Sequence, residues 1–257
     1  MPQPAPQPLP QPAPGWQMIA HWVPSYPSAY SEKVRANWTS QVRQDRTVAY
    51  LMDGKRQGYF VDLAANDAVH LSNTLTLENV FGWTGLCIEA NPEYFEGLNF
   101  RRCRVVHAVV GQQNYDKVQF AFQGSGGGLV GSGFDNKGGA AAVEVGTVSI
   151  NQIFQDLQVP ERIDYLSLDI EGAEEFVFNT FAWDRYVFSC FTVERPKPKF
   201  RALALQYGYV YVCDHADFGD ELWVHTSFRN GSQRVQSYLL KNGFGADPNV
   251  KKQCPEV

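Results

Sequence analysis

Residues 58–98 read GYFVDLAANDAVHLSNTLTLENVFGWTGLCIEANPEYFEGL. The stretch opens on a short apolar run, Gly58–Ala64, which reads as a strand. Leu71–Phe81 follows as a helix, Gly85–Ala90 as a second strand and Pro92–Phe100 as a second helix. Working outward, Arg104–Val110 is a third strand, Val148–Leu157 a helix, and Ile163–Asp169 a strand leading into a helix from Gly172 to about Phe181. Val187–Glu194 is another strand, and Tyr209–Cys213 with Glu221–Thr226 form a hairpin. A further helix is expected around Ser31–Tyr50. Strands alternating with helices predict an α/β fold, a mostly parallel sheet covered on both faces. The final hairpin predicts one antiparallel edge strand.

The chain has 257 residues, enough for a core that needs neither a metal nor a disulfide staple. Twenty-two Lys+Arg against 27 Asp+Glu leave a net charge of −5, which excludes a general polyanion-binding surface and argues against a nucleic-acid partner. No apolar run is long enough to span a membrane. The opening residues carry no leader pattern, so the chain as it stands reads as cytoplasmic; the alternative is a lumenal domain cut from an upstream anchor. The five cysteines, Cys87, Cys103, Cys190, Cys213 and Cys254, are scattered and odd in number, which predicts free thiols.

Residues 1–14 alternate proline with other residues and read as a polyproline tail or spacer. Residues 15–57 form a helical lead-in, 58–230 the main domain and 231–257 a C-terminal extension. Nine glycines fall within 124–146, an insertion with no phosphate-loop pattern. It is either a floppy insertion or a lid over the site.

In an open parallel sheet, ligands sit beyond the carboxyl ends of the strands. The first strand here gives Asp62, then Asn66 and Asp67. The second ends at Glu89, with Asn91 after it. The fourth ends at Asp169, then Glu171 and Glu174, and the fifth ends at Glu194. A lone acid after a strand is usually a cap or a turn former; four such endings point to one shared crevice. A carboxylate at position 89 can accept hydrogen bonds from both hydroxyls of an adenosine ribose. The turn after the first strand lacks GxGxxG, which disfavours a dinucleotide and suits S-adenosylmethionine.

The run 58–98, followed by IDYLSLDIEGAEEFVF at 163–178, resembles the FkbM family of S-adenosylmethionine-dependent methyltransferases. Ser40-Gln41 and Gln44-Asp45 are similar to the lead-in that often precedes those motifs, so the resemblance covers roughly 40–227. It implies a Rossmann-like class I methyltransferase with a seven-stranded sheet. It also implies roles for single residues. Asp62 and Ala64 lie along the methionine part of the cofactor; Asn66 and Asp67 orient its charged groups; Ser72 and Asn73 bind its carboxylate. Glu89 takes the ribose, Ala90 and Asn91 border the adenine, and Ala108 and Val109 line the adenine slot or pack in the core. Ala64 and Ala68 stand where the family usually has glycine, a strain of about 1 kcal/mol or more if φ is positive.

A hydroxyl acceptor must lose a proton, so a base or a divalent cation has to assist. Asp169 is the first candidate base, with Glu171 next. Related sugar methyltransferases imply a second arrangement, a magnesium held by Asp169 and Glu194, although Arg195 would repel it if it points inward. His70 and His215 are weaker candidate bases. Trp183, Tyr186 and Phe218 are either sugar-stacking surfaces or core. The expected reaction is O-methylation of a carbohydrate hydroxyl in a glycan or glycoconjugate. The alternatives are a small-molecule O-methyltransferase and a catalytically silent binding module.

Overall fold

The computed structural model describes residues 17–19, 38–137, 142–230 and 252–254. The proline-rich tail, residues 31–37 of the expected lead-in helix and most of the C-terminal extension lie outside the described residues. The helices are α1 (Gln44–Leu51), α2 (Leu75–Phe81), α3 (Phe95–Leu98), α4 (Ile150–Asp156), α5 (Glu174–Phe178) and α6 (Pro198–Gln206). The strands are β1 (Gln17–Ile19), β2 (Tyr59–Leu63), β3 (Thr84–Glu89), β4 (Arg104–His107), β5 (Val110–Gly111), β6 (Lys117–Ala121) and β7 (Gly128–Leu129). They continue with β8 (Ala142–Gly146), β9 (Val148–Ser149), β10 (Arg162–Leu168), β11 (Val187–Glu194), β12 (Tyr209–Asp214) and β13 (Asp220–His225).

The main sheet has eight strands in the order β1-β4-β3-β2-β10-β11-β13-β12. Its centre, β4 to β11, is parallel throughout. The expected seven strands with one antiparallel edge need correcting twice. β1 adds an antiparallel edge against β4. β13 also runs antiparallel, but it lies between β11 and β12 rather than at the edge. A tight β12–β13 turn leaves no room for a crossover, and β13 inserts beside β11.

Neighbouring residues along each central strand feed two cores, the period-2 signature of a sheet buried on both faces. Val61, Leu86 and Leu166 face one core, with α4, α5 and α6. Phe60, Cys87 and Tyr165 face the other, with α1, α2 and α3. Trp83 seals the second core and donates its Nε1–H to the Lys55 carbonyl at 2.7 Å. Gly85 has no alternative there, since a Cβ would lie 2.4 Å from the Phe60 carbonyl oxygen. The glycine-tryptophan motif is therefore a packing device and not part of the site.

The first core is largely aromatic. Phe178 packs against Phe181 and Trp183 with ring centroids 5.2 and 5.6 Å away. Such pairs add about 0.5–1.5 kcal/mol beyond area burial. Trp183 and Tyr186 belong to this core, which rules them out as sugar platforms; Phe218 is exposed.

Local expectations shift at element ends. The lead-in helix begins only at Gln44, because Asp45 folds back to accept hydrogen bonds from the Thr39 and Ser40 amides. Helix α6 is an addition that the sequence reading did not anticipate. The glycine-rich insertion is not structureless. It carries β7 and β8, which with β6 make a small three-stranded sheet. Cys213 and Cys254 form a disulfide, while Cys87, Cys103 and Cys190 are free and buried. The free-thiol expectation thus fails for two of the five. The pair is 41 residues apart in sequence and meets only because Gln253 bridges to Asp214 beside strand β12.

Candidate active site

The sheet reverses its winding between β2 and β10, and the main cavity opens beyond the carboxyl ends of those two strands, as the crevice rule requires. It encloses about 180 Å³ and shares Ala64, Glu89, Phe120 and Gly127 with an adjoining apolar chamber of about 60 Å³.

The turn after β2 is set by backbone. Ala64 and Ala65 both donate to the Ile88 carbonyl, at 2.9 and 3.1 Å. Ala64 has φ 64° and Asn66 φ 55°, left-handed values that favour glycine and asparagine respectively. Alanine at 64 therefore carries the strain that the sequence flagged, and the turn forms nonetheless. Ala68 has no such role; it is buried in the core against α3.

Glu89 is held at both oxygens: Oε2 accepts from the Asn66 amide at 2.8 Å and Oε1 from the Asn91 amide at 2.7 Å. Burial pushes its pKa up, and these two amides pull it back. Asp62 is buried too, accepts from Thr74 Oγ1 at 2.6 Å, and has its pKa raised by burial. Asn73 donates to Ser167 Oγ at 3.1 Å, while its own Oδ1 is buried without a partner. Ala90 and Ala108 line the smaller, apolar chamber, which suits an adenine ring.

Three expected residues fall outside the cavity wall. Ser72 is buried, accepts from the Leu75 amide and receives Arg101, so it braces the turn that leads into α2. Asp67 Oδ1 accepts from the Val69 and His70 amides and forms the turn. Val109 packs with Phe120, Leu129 and Ala173. The histidines also fall away from the wall. His70 is exposed, and burial lowers the His215 pKa to about 4.

The other half of the cavity is acidic. Asp169, Glu171 and Glu194 each bring an oxygen within 4.8 Å of the others. Asp169 Oδ1 is buried without a hydrogen-bond partner. Burial, followed by the adjacent Glu194 carboxyl, holds the Asp169 pKa well above the carboxylate range. Glu174 stands behind the wall, its pKa pushed by burial to about 7. Asp220 joins from β13, its pKa pushed by burial to about 6. Gln44 donates to Asp220, and Gln41 also lines the cavity. Asp220 is an addition: β13 runs antiparallel, so its first residue, not its last, reaches the crevice. The signal for Gln41 and Gln44 was the lead-in motif itself.

The glycine-rich segment covers the opening with Gly124, Ser125 and Gly127. It is tied down by the Asp135 amide, which donates to the Glu171 carbonyl at 2.9 Å, and by Lys197 Nζ on the Gly133 carbonyl at 2.6 Å.

The magnesium expectation meets an obstacle. Arg195 Nη2 lies 2.8 Å from Glu194 Oε2 and 3.1 Å from Glu171 Oε2. Its guanidinium, about half exposed at the rim of the cavity, bonds two of the three acids that a cation would need. The set as it stands does not fit a resident magnesium.

A model of the FkbM methyltransferase domain matches residues 62–211. The chain belongs to the FkbM methyltransferase family. Its domain is an S-adenosylmethionine-dependent methyltransferase. Among curated proteins none matches the chain. Two solved structures similar to it are methyltransferases by description. One is a precorrin-6y C5,15-methyltransferase from Geobacter metallireducens, at 11% identity and TM-score 0.38, covering 74% of this chain and 89% of that one. The other is a proposed RNA methyltransferase from Pyrococcus horikoshii, at 10% identity and TM-score 0.37, covering 76% and 96%.

Proposed function

We propose that this domain methylates a hydroxyl oxygen, and that the acceptor is a carbohydrate of a glycan or glycoconjugate. The observation that carries the reading is Asp169 Oδ1, a buried carboxylate oxygen with no partner at the end of the central strand. S-adenosylmethionine supplies a methyl group on a sulfonium, which leaves as a neutral thioether. Glu89 holds the ribose; Asn73, expected to bind the carboxylate, spends its amide nitrogen on Ser167, so its Oδ1 receives the ammonium instead. Asp169 accepts the proton of the acceptor hydroxyl as its oxygen forms the new bond to carbon. Its raised pKa makes it a stronger base than an ordinary aspartate, closer to the range general bases work in.

The wall around Asp169 favours a polar acceptor. Gln41, Glu194 and Asp220 make it polar and acidic, which suits neighbouring sugar hydroxyls better than a flat apolar ring. The small-molecule alternative differs only in what fills this wall. The silent-module alternative rested on Ala64 and Ala68; the turn keeps its left-handed geometry with alanine at 64, and Ala68 lies in the core. No helix among the described residues is long and apolar enough to cross a membrane. The Cys213–Cys254 bridge supports an oxidising compartment, and so the lumenal alternative over the cytoplasmic one.

The test is incubation with labelled methyl donor and a panel of glycans and small alcohols, read by mass spectrometry. A mass gain of one methyl on a glycan hydroxyl is expected. Transfer confined to small alcohols, or to amines, contradicts the assignment.

A further inference from the structure

We propose that Arg195 is the resident cation of this active site, so that transfer proceeds without a bound divalent metal, and that removing its guanidinium turns the carboxylate cluster into a divalent-cation site. The inference rests on the reading of the Asp169 cluster as the reaction centre.

Three separate segments converge on one guanidinium nitrogen. Arg195 Nη2 reaches Glu194 at the end of β11 (2.8 Å), Glu171 after β10 (3.1 Å) and Asp135 in the glycine-rich cover (3.8 Å). The backbone directs it there. Arg195 has φ 41°, a left-handed value that non-glycine residues seldom adopt, and its amide is fixed by the Gly219 carbonyl at 2.9 Å. Strain of this kind persists only where the surroundings over-determine it.

The cluster would otherwise hold a metal well. Asp169, Glu171 and Glu194 have the mutual spacing for one ion, and hard carboxylate oxygens suit magnesium or manganese. The buried, unpartnered Asp169 Oδ1 is the independent sign that something cationic or proton-bearing belongs beside it. An ion bound to those oxygens would sit against the guanidinium that already touches two of them. The two cations exclude each other. With Arg195 in place, Glu171 and Glu194 are compensated, and Asp169 alone stays open to the acceptor hydroxyl. No bond is made or broken at Arg195; it is a positioning residue. The proton still passes from the acceptor oxygen to Asp169, and the methyl from sulfur to that oxygen.

The probe is Mn2+, titrated into the full chain in the presence of S-adenosylhomocysteine and followed by the electron paramagnetic resonance of free Mn2+. The wild type is expected to leave the free signal nearly undiminished. Arg195→Ala is expected to bind Mn2+ at least tenfold more tightly, and Arg195→Lys, which keeps a cation, to exclude it like the wild type. Adding Glu194→Gln to Arg195→Ala should erase the gain. Arg195→Gln serves the same titration if the alanine variant does not fold. Wild type binding Mn2+ as tightly as the variants, or neutral variants binding no better than wild type, overturns the proposal. The melting temperature with and without S-adenosylhomocysteine, taken on the same samples, reports the cofactor reading separately: a retained ligand shift with tight wild-type Mn2+ binding defeats the Arg195 inference alone.

Discussion

The two ends of the cavity are finished to different degrees. At the Glu89 end a buried carboxylate has each oxygen held by a backbone amide, and the turn that supplies one of those amides accepts an alanine at φ 64° to do so. At the Asp169 end a half-buried carboxylate has one buried oxygen with no hydrogen-bond partner among the described residues, and its neighbours are other acids. Unpaired buried polar groups are expensive. A protein that completes one end and leaves the other open has a preformed grip for a ligand that always returns, and a reactive group reserved for one that is consumed. The donor matches the first description and the acceptor proton the second.

Substitutions can break this contrast. Asp169→Asn should have the largest effect, lowering turnover about 10²–10⁴-fold, the usual worth of a general base, while donor binding stays near wild type; single-turnover rates check this. Turnover in the wild type should rise with pH through the raised Asp169 pKa, because only the ionised form accepts a proton. A pH–rate profile with no rise above the ordinary carboxylate range would separate Asp169 from the proton step.

Glu174 sharpens the contrast through stability. Its Oε2 is buried without a partner, and its pKa is about 7. The folded state keeps a proton that the unfolded chain releases near 4.3. The stability this contributes is present at low pH and falls as pH rises from about 4.3 to 7, by about 4 kcal/mol in all. Glu174→Gln should flatten that slope in urea melts taken at several pH values. The smallest effect is at the finished end. Ala64→Gly should raise stability by roughly 0.5–1 kcal/mol, relief of left-handed strain less the extra freedom of glycine in the unfolded chain, and chemical denaturation measures it. An unchanged or lower midpoint would mean that the turn carries no strain.

Much of this was legible in the residues. The alternation from Tyr59 to Glu89 and again from Ile163 to Glu194 dictated a two-faced parallel sheet, and carboxylates at its strand ends located the crevice. What escaped was non-local. Asp220 starts an antiparallel strand, so a search of strand ends passes over it. Cys254 meets Cys213 across 41 residues with no local pattern to announce the pairing. Ser72, Asp67 and Val109 were adjacent to site residues in sequence, but a cap, a turn and a core contact use them instead. Arg195 was visible as a residue that would matter; only the fold tells which way it points.

The account stands most directly on calorimetric titration of S-adenosylhomocysteine into the wild type, Asp169→Asn and Glu89→Ala. Wild type and Asp169→Asn should bind with similar affinity. Glu89→Ala should lose about a hundredfold or more, since two hydrogen bonds to a charged group are worth about 3 kcal/mol or more together. Equal binding by Glu89→Ala, or no binding by the wild type, would contradict the assignment of the cavity.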